Sequence, residues 1–185
     1  MAITPTQIHQ IIDAHALGLL DPAIASRAGV SIATVKRYRD RLGLETNSVT
    51  AKRGRLGEQL VAEEALRRGF SVEWREKENA AYDLYVNGQK VDAKATMQLA
   101  DGSWRFRLHT TRVSYYHQYS YPKDYAADCD LVVLVTLYPD GCVPDFYLLE
   151  SASLPGDIRI RPGGVYSAFR NDWTAAEWGS APIRA

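Results

Sequence analysis

Residues 81–96, AYDLYVNGQKVDAKAT, constrain this chain more than any other stretch. Two short runs of strand character flank Asn87-Gly88, a dipeptide suited to a two-residue hairpin because both central positions need positive φ. With the turn fixed, the register follows. Val86 faces Gln89, Tyr85 faces Lys90, Leu84 faces Val91, and Asp83 falls opposite Asp92. Opposed residues of an antiparallel pair have Cβ atoms about 5 Å apart, and like charges there destabilise a sheet. Lys94 lies two residues beyond Asp92 and shares its face. Two acids and an amine are therefore predicted to converge on one patch. A divalent metal on oxygen ligands is a natural compensation, since Mg²⁺ sites commonly use one or two carboxylates with water and phosphate. The alternative is a solvated hairpin whose charges face water, which leaves the opposed carboxylates unexplained.

The stretch preceding this hairpin supplies a third acid. Residues 53–68 read as a helix stopped by Gly69. Glu58 lies within about 20° of Ala65 on the helical wheel, beside Val61 and Ala62. A carboxylate on a small, apolar packing face is costly unless it meets a partner. The competing reading is a helix-start Glu favoured by the macrodipole. Arg53 and Arg55 near the start of this helix are candidate phosphate contacts.

Residues 1–44 read as a separate helical module, joined through a polar linker, 45–52, to a second domain, 53–185. Thr4-Pro5, Asp21-Pro22 and Ser31 are helix starts, and Gly18, Gly29 and Gly43 are stops. The segment AIASRAGVSIATVKRYRDRLGL resembles a helix-turn-helix. Ala25 permits close helix approach, Gly29 the left-handed turn, and Val35 an inward anchor, with Tyr38 and Leu42 on its stripe. The other face presents Ser31, Ile32, Ala33, Lys36, Arg37 and Arg41, the groups expected to meet base edges and phosphates of double-stranded DNA. An ordinary helical bundle with a solvated basic face, or a protein adaptor, is the alternative.

Lys plus Arg equals Asp plus Glu, at 22 each among 185 residues, so any DNA affinity must come from local patches. No apolar run approaches membrane-spanning length and the N-terminus carries no signal-peptide pattern, so a cytoplasmic protein with no membrane partner is expected. Cys129 and Cys142 lack zinc or disulfide spacing and read as reduced core or near-core thiols; the four histidines show no metal pattern. Residues 103–110 alternate, with Trp104, Phe106 and Leu108 on one side and Arg105, Arg107 and His109 on the other. That basic side is either a DNA-facing surface or a solvated one. Residues 130–138 form a continuous apolar run, as in a strand buried on both faces. Residues 143–149 are a further strand and 158–161 an edge strand. The tyrosine-rich segment 111–125 reads as packing around a short helix, and Trp173 and Trp178 as core. The fold class is α/β, a mixed sheet flanked by helices and preceded by the small all-α module.

Asp83, then Asp92-Ala93-Lys94, resembles the PD-(D/E)XK signature of the restriction-endonuclease-like nucleases over residues 51–151. Tyr82 stands where that signature usually has Pro, and Asp92 where it often has Glu. Gly54-Arg55-Leu56-Gly57-Glu58 is similar to the family's G-x-x-G-E form. The resemblance implies a Mg²⁺-dependent DNA endonuclease, with Mn²⁺ as substitute, leaving 5′-phosphate and 3′-hydroxyl ends. It further implies that Asp83, Asp92, Glu58 and the Ala93 carbonyl hold the metal, and that Lys94 orients the attacking water. The helix-turn-helix favours a restriction or homing type of enzyme, acting as a homodimer where both strands are cut. A structure-selective nuclease such as a Holliday-junction resolvase, a non-catalytic regulator on a nuclease scaffold, or a helical adaptor fused to an enzyme acting on RNA or another phosphoester, are the other readings.

Overall fold

The computed structural model describes residues 3–77, 80–114, 116 and 119–177. The chain divides into two compact units, one of Met1–Lys52 with Val113–Tyr121, the other of Arg53–Arg112 with Pro122–Ala185.

The first unit holds three helices, α1 (Pro5–Ala16), α2 (Asp21–Ala28) and α3 (Ile32–Arg41). Thr4 and Gln7 form a reciprocal capping box at α1. Gly29 ends α2 at φ +63°, a left-handed conformation that a Cβ would strain, and the Ser31 hydroxyl accepts from Thr34 N–H to start α3. Ile11, Ala14, Ile24, Ala25, Ala28 and Val35 form the core between them. An ion pair braces it. Arg39, 3% exposed, donates from Nη2 to Asp21 Oδ2 at 2.9 Å and from Nη1 to the Leu44 carbonyl at 3.1 Å. Leu42 is exposed rather than part of the inward stripe, and Ala33 is buried, so its side chain is packing rather than reading surface.

In the sequence between the units, residues 49–52 are helix rather than linker, because α4 runs Val49–Arg67. The second unit is built on a five-stranded sheet of order β1-β2-β3-β7-β8: β1 (Val72–Trp74), β2 (Leu84–Val86), β3 (Gln89–Met97), β7 (Leu131–Leu137) and β8 (Asp145–Glu150). Only β3 and β7 run parallel, over Val91–Met97, so β3 continues as a strand long after leaving its hairpin partner. The hairpin turns as its dipeptide requires, with φ +49° at Asn87 and +78° at Gly88, and pairs Leu84 with Val91, Tyr85 with Lys90 and Val86 with Gln89. One sheet face packs on α4 through Val61, Ala62 and Ala65 against Leu84, Val91, Ala93 and Val133, with Trp173 closing the end. The other face, through Val132, Leu134 and Leu149, is covered by a ribbon of β4 (Trp104–Arg107) and β9 (Asp157–Ile160). Trp104 and Phe106 point inward from it, and β7 is buried along its whole length. Burial on both faces is why β7 reads as an unbroken apolar run.

The tyrosine-rich segment is not packing around one helix. It forms two paired strands, β5 (Thr111–Val113) and β6 (Ser120–Pro122), followed by the single turn α5 (Tyr125–Asp128). Tyr115, His117, Gln118 and Trp178 lie outside the described residues. Residues 158–161 do not edge the main sheet but contribute to β9. A final turn, α6 (Thr174–Glu177), follows Asp172, whose Oδ1 accepts from Thr174 N–H. Cys129 is buried, whereas Cys142 is exposed rather than near the core. No helix among the described residues is long and apolar enough to cross a membrane.

Candidate functional site

The β2–β3 ladder ends at Leu84–Val91, and the chain bends just before it. Asp83 sits at that bend. Its N–H donates to the Val91 carbonyl at 2.9 Å, and its Oδ2 accepts from Ala93 N–H at 2.9 Å. Asp83 therefore does not stand beside Asp92 as an ordinary cross-strand pair. Its carboxylate turns into the edge of β3 that β2 has vacated. Within a strand a residue's N–H and C=O point the same way, so the Ala93 carbonyl faces that edge too.

Asp92, 4% exposed, and Lys94 alternate on the face opposite α4, and Lys94 Nζ forms a close ion pair with Asp92 Oδ1. Lys123 Nζ meets the other oxygen, Oδ2, at 2.7 Å. Its side chain is 5% exposed, donates to the Ala81 carbonyl, and has its Nζ 4.6 Å from the Tyr125 ring centroid.

Glu58 reaches the site from α4. Gly57 brings the helix close, since a Cβ at that position would fall 2.6 Å from the Ala95 Cβ. Arg75 follows β1, whose Trp74↔Leu84 register sets it across from Asp83. Arg75 Nη1 donates to Asp83 Oδ1 at 2.6 Å and to Glu58 Oε2 at 3.2 Å, one nitrogen joining both carboxylates.

The electrostatics agree with this convergence. Burial, then the charge of Asp83, pushes the Glu58 carboxyl up to about 7, against the pull of Arg75 and Lys94. Burial and the charge of Asp92 raise Asp83 as well. Burial pulls Lys94 down, but Asp92 and Asp83 outweigh it and hold its ammonium above the ordinary range. Burial and the Asp92 charge raise the Cys129 thiol to about 12, which keeps it unreactive at neutral pH.

Asp83, Asp92, Lys94 and Glu58, taken from the sequence as one group, are thus gathered around the start of β2. Arg75 and Lys123 were not anticipated. Arg75 was legible in principle, because extending the β1–β2 register by one pair sets it opposite Asp83. Lys123 had no local signal, since only the tertiary fold brings it to Asp92.

Among the described residues no three acidic, histidine or cysteine side chains are clustered as a ready-made metal cage. The acids are instead each held by a basic partner. The donor set still suits a hard divalent cation. Glu58, Asp83, Asp92 and the Ala93 carbonyl offer only oxygen, and Arg75 already places positive charge between two of them.

The candidate nucleic-acid groups lie on α3 in the first unit and on α4 and β4 in the second. Ser31, Arg37 and Arg41 are exposed and Lys36 half-buried along α3. Arg37 Nε donates to the Ala33 carbonyl at 3.3 Å, and Arg41 stacks on Tyr38 with Cζ 4.9 Å from the ring centroid. Arg53 and Arg55 lie in the second turn of α4, Arg55 exposed and Arg53 half-buried. Arg107 is exposed, while Arg105 Nε donates to both Asp157 oxygens, at 2.9 and 3.0 Å.

The mixed sheet flanked by helices defines the fold class. The solved structure of a bacterial homing endonuclease, I-Ssp6803I, shares this fold. The two align with a TM-score of 0.50 at 18% identity, over 68% of this chain and 91% of that one. No family model and no curated protein matches the sequence.

Proposed function

We propose that this chain is a divalent-metal-dependent DNA endonuclease, with its phosphodiester chemistry at Asp83, Asp92, Glu58 and Lys94. The observation that carries this reading is Asp83, joined to Glu58 through Arg75 and bonded to Ala93 N–H, beside the Asp92–Lys94 pair of β3. The likeness of its fold to that of a bacterial homing endonuclease supports it. Asp83, Asp92, Glu58 and the Ala93 carbonyl would hold Mg²⁺, or Mn²⁺ in its place. Bound there, the cation would supply charge neutralisation at the scissile phosphate and a more acidic water. Lys94, its side chain 33% exposed, has room to turn from Asp92 toward a phosphate, where it would orient the attacking water and offset developing negative charge. Lys123 is enclosed and would keep Asp92 aligned. Ser31, Lys36, Arg37 and Arg41 on α3 would contact double-stranded DNA, the arginines at phosphate or guanine. Two copies of the chain would cut both strands.

The test is incubation of the pure protein with mixed plasmid and phage DNA, with Mg²⁺ or Mn²⁺, followed by sequencing of the ends. An RNA substrate runs in parallel. The expected result is recurrent ends at one sequence, abolished by EDTA. Ends confined to branched DNA would favour a structure-selective nuclease. DNA binding without any cleavage would favour a non-catalytic regulator, a reading supported by the basic partner on each acid.

A further inference from the structure

Resting on that reading, we infer that Arg75 is the internal competitor of the divalent cation, and that it sets how tightly the site takes a metal. A single nitrogen, Arg75 Nη1, lies 2.6 Å from Asp83 Oδ1 and 3.2 Å from Glu58 Oε2. It thus occupies the space between the two carboxylates that a metal would bridge. A metal bonding both oxygens at the 2.0–2.1 Å typical of Mg²⁺ cannot share that space with a guanidinium nitrogen. The arginine has to leave first.

Arg75 bridges Glu58 and Asp83, and its surroundings let it yield where those of Lys123 do not. Lys123 is anchored on Asp92, on the Ala81 carbonyl and against the Tyr125 ring, with 5% of its side chain exposed. Arg75 has 22% of its side chain exposed and follows β1, a three-residue strand at the edge of the sheet. It has a path into solvent that Lys123 lacks. Charge points the same way. Glu58, Asp83, Asp92 and Asp128, the last 3.7 Å from Lys123 Nζ, carry four negative charges when ionised against three positive ones on Arg75, Lys94 and Lys123, so Glu58 and Asp83 depend on Arg75 for their compensation. Displacing the guanidinium releases two carboxylates to a dication.

Arginine at this place therefore costs metal affinity and supports the metal-free fold. Removing it should separate those two effects, which a purely structural role would move together. The experiment is calorimetric titration of Mn²⁺ alone, without DNA, into the wild type, Arg75→Met and Arg75→Lys, with thermal melts in EDTA. Arg75→Met is expected to melt lower in EDTA yet bind Mn²⁺ about tenfold more tightly, the scale of one charge-assisted hydrogen bond no longer broken on binding. Arg75→Lys keeps a cation but loses the planar fork, so its affinity should fall between the two, and it serves if the Met variant does not fold. Wild-type binding with unchanged or weaker binding by the variants would overturn the role of Arg75 alone, leaving the metal-site reading intact. No binding by any of the proteins would overturn both.

Discussion

Glycine 57 sets how close α4 comes to the sheet, and with it where Glu58 stands. A Cβ built on Gly57 would lie 2.6 Å from the Ala95 Cβ, 3.5 Å from its backbone N and 3.6 Å from its Cα. Neither Cβ can rotate away, because each is fixed to its backbone. Carbon atoms in good contact sit about 3.5–4.0 Å apart, so Gly57→Ala must drive helix and strand apart by about 1 Å. That separation loosens the packing of Val61, Ala62 and Ala65 on the sheet. Overpacking of this kind typically costs about 1–3 kcal/mol, and the helix-propensity gain of Ala over Gly returns about 1 kcal/mol. A net loss of up to about 2 kcal/mol should lower Tm by up to about 8 °C for a unit of this size. Circular dichroism melts would measure it. Gly54, in the same helix, has nothing within 4 Å of its added Cβ. Gly54→Ala should therefore stabilise, by about 0.5–1 kcal/mol. The clash also has a partner-specific remedy, since Gly57→Ala combined with Ala95→Gly should recover part of the loss, giving a favourable coupling in a double-mutant cycle. If Gly57→Ala stabilised as Gly54→Ala does, or if the two changes simply added, the close approach would not be what places Glu58.

Further outcomes follow from the same geometry. The Glu58 carboxyl is raised from 4.5 to about 7 by burial and then by Asp83. Its stabilising contribution in the metal-free protein is complete below pH 4.5 and is lost as pH rises through about 7, by up to about 3 kcal/mol. Urea midpoints followed across that window should fall in the wild type and fall less in Glu58→Gln, where the raised Asp83 still contributes. Arg39→Met should cost the helical unit about 3 kcal/mol, because it strands the largely buried carboxylate of Asp21, whose side chain is 12% exposed; a melt within 1 °C of wild type would refute the bracing role. Arg37→Ala with Arg41→Ala should weaken DNA binding and lower the slope of log K against log salt by about 2, one for each phosphate no longer neutralised. An unchanged slope, measured by fluorescence anisotropy, would remove α3 from the DNA interface.

How much of this could be read from residues alone depends on how local the determining physics is. The Asn87-Gly88 turn and the three-pair register were legible, because two positive φ values and a side-chain period of two leave one solution. The unbroken run of β7 was legible for a similar reason: burial on both faces writes itself into composition. The same logic failed one residue past the ladder. Extending the register set Asp83 beside Asp92, but the bend at Asp83 lets its carboxylate cap the Ala93 N–H instead, a backbone donor left unpaired where β2 stops. The β4–β9 ribbon was half legible. Alternation gave the inward faces of Trp104 and Phe106, but the strand that pairs with them lies fifty residues on. Lys123 and Arg39 were missed because each acquires its role only from a carboxylate that the tertiary fold delivers.

The central claim is that Asp83 and Asp92, with Lys94 between them and a phosphate, form a metal-dependent phosphodiesterase centre. Plasmid relaxation in Mg²⁺, scored for wild type, Asp83→Asn, Asp92→Asn and Lys94→Ala at matched folded concentrations, tests it most directly. The expected result is cleavage by the wild type that EDTA stops, and a loss of about a hundredfold or more in each variant, on the scale of removing one charge-stabilising group from an active site. Cleavage by Asp83→Asn at the wild-type rate, or wild-type cleavage indifferent to EDTA, would contradict it.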